Sequence, residues 1–278
     1  ASIVGVAEGV VAFDGKTLRG SKDGPNTALH MVSAYATALG VSLGQEGTAG
    51  KGNELAAIKA LLDTLVLKGC IVTLDALGCQ TDIAAKIVAQ GGDYVLAVKE
   101  NQKSLSQAVI EFFVTAEAFD FRNIDVQTSV SIEKNHGRIE TRRASFVPDV
   151  AWMDKPMRVD WKKLSAVGMI ESEQEIKGKV SVERRYFIMS AGVKTVEQFA
   201  QAARAHWGVE SMHWVLDVTF REDGCRVRKG HAARNLSALR KFALSALRTD
   251  TLHPDRSLRR RRKPVSYTHL RAHETVLD

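Results

Sequence analysis

The stretch VAFDGKTLRGS, residues 11–21, decides how the fold is interpreted, because Gly15-Lys16-Thr17 has the ending of a phosphate-binding loop. Such a loop needs a glycine five positions before Gly15, and Val10 occupies that position. The loop should also lead into a helix, whereas residues 17–25 are polar and glycine-rich, which is typical of a turn. A nucleotide hydrolase is therefore the weaker alternative, and Asp14 becomes the candidate functional residue.

The composition is that of a globular protein with a buried core. The chain has 278 residues, of which 45% are hydrophobic and 26% are charged, enough for one large domain or two smaller ones. No apolar run is long enough to span a bilayer and no signal peptide is visible, so we expect a cytoplasmic protein without a membrane partner. The three cysteines are too few for a disulfide framework and form no CxxC zinc pair.

Positive charge is concentrated near the end of the chain. The net charge is +7, and residues 255–263 contain six basic residues and one acidic residue. A run of this kind attracts the phosphate backbone of DNA, although a solvated tail explains the run equally well on its own. The candidate DNA-binding residues in it are Arg259, Arg260, Arg261, Arg262 and Lys263.

The first part of the chain alternates between strand and helix patterns. Three apolar stretches that read as strands come first, and a helical pattern with Leu55, Ile58 and Leu62 on one face follows them. A short strand, a second amphipathic helix and another buried strand come next. The predicted elements are strands at 3–13, 29–38 and 41–45, a helix at 55–69, a strand at 70–74, a helix at 81–90 and a strand at 94–98. This order predicts a mixed sheet with helices packed on it.

From about residue 121 the pattern changes to alternating, charged segments that predict antiparallel strands, with a hairpin tip at 177–179. Helical spacing returns after Thr195, a predicted N-cap, and a last helix follows at 232–247. We therefore expect an α/β core at 1–120 that is interrupted by a β-rich insertion at 121–194 and completed by helices at 195–250. A basic segment at 251–264 follows, and we interpret residues 265–278 as a translated sequencing adapter outside the fold.

Three carboxylates are candidates for chemistry. Asp14 and Asp75 each close an apolar strand, and side chains at such positions converge at the edge of an α/β sheet. Glu210 lies on the helical stripe that also carries Phe199, Ala203, Trp207 and Trp214, which should pack against the sheet. One interpretation is structural: the two aspartates belong to turns and the glutamate forms a salt bridge. A shared site for Mg²⁺ or Mn²⁺ is the functional one, because these ions prefer carboxylate oxygens.

Six motifs, in order along the chain, resemble those of the H-repeat-associated (ISAs-type) insertion-sequence transposases, which are DDE enzymes with an RNase H-like core. The resemblance covers residues 11–263. The motifs are FDGKTLRGS (13–21), KGNELAAIKALLDTL (51–65), VTLDALGCQTDIA (72–84), GGDYVLAVKENQ (91–102), HGRIETRR (136–143) and HWGVESMHWVLDVTFREDGCRVRKG (206–230).

The resemblance implies that Asp14, Asp75 and Glu210 are the catalytic, metal-binding triad. It implies cleavage of double-stranded DNA at the element ends by water, followed by attack of the freed 3′-OH on target DNA. It also implies a homo-oligomeric active complex and a bacterial, nucleoid-associated location. The positions that match the family with a DNA-binding role are Lys99, Asn101, His136, Arg138, Arg142 and His206, for which surface charge is the alternative interpretation.

The sequence departs from the family pattern in two respects. Family members usually begin with a helical domain ahead of the first aspartate, which this sequence does not contain. They also usually have one more residue than Ser211-Met212 between the glutamate and the His-Trp pair, and one residue fewer rotates the rest of a helix by about 100°. We therefore expect a truncated transposase. The alternative is a catalytically inactive remnant that binds DNA.

Overall fold

The computed structural model describes residues 9–24, 27–49, 51–135, 138–251 and 255–262. The start of the first predicted strand, His136, Lys263 and the predicted adapter segment lie outside these residues. The elements in chain order are β1 (Gly9–Thr17), β2 (Leu29–Ala36), β3 (Val41–Ala49), α1 (Glu54–Asp63), β4 (Cys70–Leu74), α2 (Thr81–Ala89), β5 (Asp93–Val98), α3 (Lys103–Ala118), β6 (Gln127–Asn135), β7 (Arg138–Val147), α4 (Lys155–Asp160), β8 (Leu164–Ile176), β9 (Lys179–Ser190), α5 (Val196–Val218) and α6 (Ala232–Thr249).

The nine strands of the described residues belong to one mixed sheet with the order β3-β2-β1-β4-β5-β9-β8-β7-β6. The first three strands form an antiparallel meander, and β4 and β5 run parallel to β1. Strand β9 then pairs antiparallel with β5 and joins the four strands of the β-rich insertion to the sheet. The expected α/β fold with a β-rich insertion before α5 is confirmed, and the insertion extends the core sheet.

The helices cover the two faces of the sheet separately. Val11 and Phe13 of β1 point to the face that α1, α2 and α3 cover. Ala12 lies between them in sequence and points to the opposite face, where it packs against Val209 of α5 and Leu244 of α6. Because successive strand residues alternate between faces, Asp14 lies on the α5 side together with Ala12. The fold thus places Asp14 beneath α5.

Strand β1 continues past Asp14 to Thr17, so the expectation that the strand ends at Asp14 was wrong. Residues 15–17 pair with β2, and Thr17 lies opposite His30. The Gly15-Lys16-Thr17 segment is therefore part of a strand and cannot cradle a phosphate with its backbone amides. The interpretation of this segment as a phosphate-binding loop is excluded. Helices α3 and α4 were not predicted from periodicity, and α1 ends at Asp63, earlier than expected.

Gly15 lies against a buried ion pair between β2 and α1. His30 Nε2 and Glu54 Oε2 are 3.0 Å apart, and both side chains are buried. A β-carbon at position 15 would collide with the His30 imidazole and the Glu54 carboxylate. The glycine is thus required by close packing across the strand.

We predict that Gly15→Ala lowers the free energy of unfolding by about 2 kcal/mol or more, because the overpacked methyl group displaces the buried pair. Gly52→Ala is the matched control, since a β-carbon there meets no atom within 4 Å. Its effect should stay within about 0.5 kcal/mol. Urea unfolding followed by circular dichroism measures both values, and equal values for the two variants would contradict the packing argument.

Lys241 anchors α6 to the sheet from a buried position. Its Nζ donates hydrogen bonds to Ser33 Oγ at 2.7 Å and to Gln45 Oε1 at 2.8 Å. Burial lowers the pKa of Lys241 to about 8; Glu222 opposes this shift and Lys16 adds to it. Ser33 lies directly opposite Asp14 in the β1–β2 register, so this anchor is close to the candidate site.

We predict a pH dependence of stability that Lys241 causes. Between pH 8 and 10 the unfolded chain holds the Lys241 proton more tightly than the folded chain does, so the free energy of unfolding rises with pH. The contribution should reach about 2 kcal/mol over this window and should be lost in Lys241→Met. Urea unfolding of both proteins at pH 7.5, 9 and 10 measures it. Identical pH profiles would show that this lysine is not responsible.

Candidate active site

Asp14 lies on β1, and Asp75 directly follows β4, the parallel neighbour of β1. The β1–β4 register pairs Ala12 with Thr73, and two further residues along each strand bring Asp14 level with Asp75. Neighbouring strands are about 4.8 Å apart, so the two carboxylates leave the sheet side by side. Asp14 is partly buried and Asp75 is exposed. The Gly78 amide donates to Asp75 Oδ1 at 3.3 Å, which holds the turn after β4.

Glu210 lies in the middle of α5, but its side chain is exposed. The expectation that it belongs to the buried stripe with Trp207 and Trp214 was wrong, and Trp214 is 63% exposed. The buried stripe runs instead through Val209, Met212 and His213, because Val209 and Met212 pack against Ala12 and Tyr35 of the sheet. Glu210 consequently lies at the flank of the stripe.

The charges of all three candidate carboxylates affect the pKa of His206. Its Nδ1 is 3.1 Å from Thr73 Oγ1, so it reaches β4 two residues before Asp75. Burial lowers the pKa of His206, whereas the negative charges of Asp14, Glu210 and Asp75 each act to raise it. The contact with Thr73 therefore ties α5 to β4 close to Asp75.

His213, two turns further along α5, contacts Asp14 directly. Its Nδ1 is 3.2 Å from Asp14 Oδ2, and the side chain is buried. Its Nε2 is buried and has no hydrogen-bond partner in the part of the chain that the structure describes. With a carboxylate beside it, Nδ1 acts as the donor. The sequence pattern did not single out this residue; its position three residues after Glu210 is the signal that would have found it.

Asn101 and Gln102 support the turn that carries Asp75. The Asn101 amide donates to the Ala76 carbonyl at 2.5 Å, and the Gln102 amide donates to the Cys79 carbonyl at 3.0 Å. The segment after β5 therefore braces the segment after β4. Asn101 was predicted to bind DNA, and the structure places its amide on the backbone beside Asp75. Lys99, another predicted DNA-binding residue, is exposed. A hydrogen bond from Arg185 lowers the pKa of Glu183, and the charge of Lys99 acts in the same direction.

The predicted DNA-binding arginines of the insertion are paired with carboxylates. Arg142 contacts Glu133 and Glu140, is 11% exposed, and lies 5.1 Å from the centre of the Trp207 ring. Arg138 Nη2 is 2.7 Å from Glu140 Oε2. These contacts anchor β7 to β6 and α5 and neutralise much of the charge. His136 lies outside the described residues.

The basic run after α6 divides into two groups. Arg261 donates to the carbonyls of Leu247 and Asp250 and caps the end of α6. Arg262 donates to the Thr219 carbonyl at 2.5 Å. Arg259 and Arg260 are exposed. Lys263 lies outside the described residues.

The donor chemistry of the three acids suits a hard divalent cation, because all the donors are carboxylate oxygens. Within residues 9–24, 27–49, 51–135, 138–251 and 255–262, no group of three His, Cys, Asp or Glu side chains is arranged to hold a metal ion. Asp14 and Asp75 are adjacent, and Glu210 faces outward from the flank of α5. The residues therefore fit such an ion in their donor chemistry, and Glu210 is exposed at the flank of α5. None of the helices among these residues is long and apolar enough to cross a membrane.

Comparison with known proteins gives one matching family and several relatives that agree with it. Residues 7–246 match the family described as transposase DDE domain. YncI of Escherichia coli O157:H7, which is named as a transposase, is 41% identical over 92% of this chain and 66% of its own length. YbfL and YhhI of E. coli strain K12 are each 41% identical over 91% of this chain and 68% of their own length. YhhI is named as H repeat-associated. The chain thus spans about two thirds of these relatives.

The sheet order and the matches agree. Three antiparallel strands followed by two strands parallel to the first, with helices on both faces, is the expected RNase H-like arrangement. The chain belongs to the family of transposases with a DDE domain.

Proposed function

We propose that this chain carries the catalytic core of an insertion-sequence transposase that cleaves DNA at the element ends and joins the freed 3′-OH to target DNA. One observation supports the proposal most: β1, which carries Asp14, and β4, which Asp75 directly follows, are parallel neighbours, and α5, which carries Glu210, contacts Asp14 through His213. The partner is double-stranded DNA, and the active complex is a homo-oligomer acting on the bacterial nucleoid in the cytoplasm.

Asp14, Asp75 and Glu210 would hold Mg²⁺ or Mn²⁺. A bound divalent ion supplies Lewis-acid activation of the phosphate and of the attacking water. The chain itself supplies the positions of the ligands. The β1–β4 register sets the spacing of the two aspartates, and Asn101 and Gln102 fix the turn that presents Asp75.

His213 acts as a positioning residue for Asp14. By donating from Nδ1 it fixes one carboxylate oxygen and leaves the other free to bind. Its burial on the face of α5 that packs against the sheet holds the imidazole in place. Groups that orient ligands in this way are worth about 10- to 100-fold in metal affinity or activity.

A second function, DNA binding without catalysis, is favoured by one observation. Among the described residues no three potential ligands form a metal group, and Glu210 is exposed. Exposed basic residues such as Arg259 and Arg260 would still bind phosphates in such a protein. The two functions differ in what a divalent metal ion does to bound DNA.

We predict that Asp75→Asn lowers Mg²⁺-dependent nicking of a duplex carrying the element end by at least about a hundredfold, because it removes a charge beside the scissile phosphate. Gel electrophoresis of end-labelled DNA measures the nicking. Asp63→Asn, which loses an exposed partner of Lys86 on α2, is the matched control and should nick like the wild type. DNA binding in EDTA should be the same for all three proteins.

Equal nicking by the wild type and Asp75→Asn would refute the proposed triad. Binding that persists in EDTA, with no nicking by the wild type, would instead support the DNA-binding function.

We predict that His213→Asn and His213→Gln behave differently. Asparagine keeps an N–H donor near the position of Nδ1, whereas glutamine places its amide nearer to Nε2. The glutamine variant should bind Mn²⁺ about tenfold more weakly, as monitored by the electron paramagnetic resonance signal of free Mn²⁺, and the asparagine variant within about threefold of the wild type. Equal losses in both, tracking their thermal unfolding, would indicate a packing role only.

A further inference from the structure

Two loops that are far apart in the sequence pack together beyond the end of β1. The Arg228 Nε donates to the Gly20 carbonyl at 3.2 Å. A β-carbon on Gly20 would collide with the Cys225 carbonyl, so the two backbones are in close contact. Residues 19–22 and 221–229 therefore form one surface. We call it the basic loop surface, after its six exposed basic residues: Arg19, Lys22, Arg221, Arg226, Arg228 and Lys229.

The charge of the basic loop surface is poorly compensated. Arg19 is 3.6 Å from Asp223 and Arg228 is 3.7 Å from Asp23, which are long distances for ion pairs. The other four basic residues make no ion pair with any residue that the structure describes. The surface thus carries six positive charges against three carboxylates, Glu222 and Asp223 within it and Asp23 beside it, and Lys16 already contacts the first two.

The arginines of the insertion differ in this respect. Arg184 and Arg143 each have carboxylate partners within 3 Å, and Arg142 contacts two glutamates. An arginine that is already paired with a carboxylate gains less from a phosphate, because it must give up the first partner. The basic loop surface is therefore a better site for an anionic polymer than the arginines of the insertion are.

The basic loop surface is fixed close to Asp14. Lys16, two residues after Asp14 on the same face of β1, contacts Asp217 and lies 3.0 Å from Glu222 and 3.2 Å from Asp223. Two residues of a strand span about 7 Å, so the lysine that holds the loop lies that far along β1 from Asp14. Arg262 donates a hydrogen bond to the Thr219 carbonyl at the start of the same loop.

From these observations we propose that the basic loop surface binds the phosphate backbone of duplex DNA next to the point of cleavage. The inference rests on the proposed function, and it names the surface through which this chain holds DNA. Fixed loops with unpaired cations bind a polyanion with little loss of conformational entropy. The binding should be strongly dependent on salt, since each phosphate contact releases a counterion.

The test is a charge reversal at three positions without ion-pair partners in the described chain, Lys22→Glu, Arg226→Glu and Lys229→Glu combined. The matched control reverses three exposed basic residues associated with the opposite face, Lys68→Glu, Arg122→Glu and Lys155→Glu, so that both variants change net charge equally. Both are made in the full chain with Asp75→Asn and assayed in EDTA, so that no DNA is cut. The probe is a fluorescein-labelled duplex of mixed sequence, followed by anisotropy at salt concentrations from about 50 to about 300 mM, a range over which ionic screening changes strongly.

We expect the loop variant to bind about 30-fold more weakly at about 100 mM salt, and the slope of log Kd against log salt to fall by about 2 to 3, since each phosphate that the protein no longer neutralises removes about 0.9 from the slope. The control should bind within about threefold of the parent. Thermal unfolding by circular dichroism checks that both variants are folded. Equal binding by the two variants, weak or strong, would overturn the inference. So would tighter loop-dependent binding of single-stranded RNA or of phosphatidylserine vesicles than of the duplex.

This outcome is separable from that of the proposed function. A wild type that binds duplex DNA through the basic loop surface and never nicks it would leave the inference standing and remove the transposase chemistry. A wild type that nicks element ends, with a loop variant that binds like the control, would do the reverse.

Discussion

The candidate site depends on the parallel pairing of β1 with β4. This register places Asp14 and Asp75 side by side, and the alternation of strand side chains directs Asp14 toward α5. Parallel strands need a crossover connection, which α1 supplies on the opposite face, so α5 can pack on the face that carries Asp14. A shift of one residue in this register would turn Asp14 into the core formed with α1 and α2.

Buried charge next to Asp14 fixes the geometry further. Glu222 is 2% exposed and contacts Lys16, and Lys241 reaches Ser33 opposite Asp14 from the other side. Removing one member of such a network leaves an uncompensated buried charge, which costs several kcal/mol. The network therefore ties the end of α5, the loop after it and α6 to the two strands that border Asp14. These ionic contacts fix the positions of the elements around Asp14 more than they stabilise the fold.

The sequence was sufficient for the order of the strands and for the helices with strong periodicity. Strand β4 has the predicted bounds, α5 begins after the predicted N-cap Thr195, and the sequence was sufficient to identify Asp14, Asp75 and Glu210 as candidates. The orientation of Glu210 was not predictable from the periodicity of α5 alone. Contacts with Ala12 and Tyr35 of the sheet set the buried stripe of α5, and these two residues are distant from α5 in the sequence. The pairing of the arginines of the insertion with glutamates was also not predictable, because it depends on cross-strand neighbours that are far apart in the sequence.

The short link between Glu210 and His213 accounts for the exposure of the glutamate. Residues three apart on a helix are separated by about 60° around the axis, so with His213 buried against Asp14 the Glu210 side chain leaves at the flank. One more residue in the link, as the family resemblance implies, would place the glutamate about 40° to the other side, at the position that Val209 occupies here. Val209 is fully buried against Ala12. The length of this link therefore decides whether the glutamate lies at the flank of α5 or on the face that packs against β1.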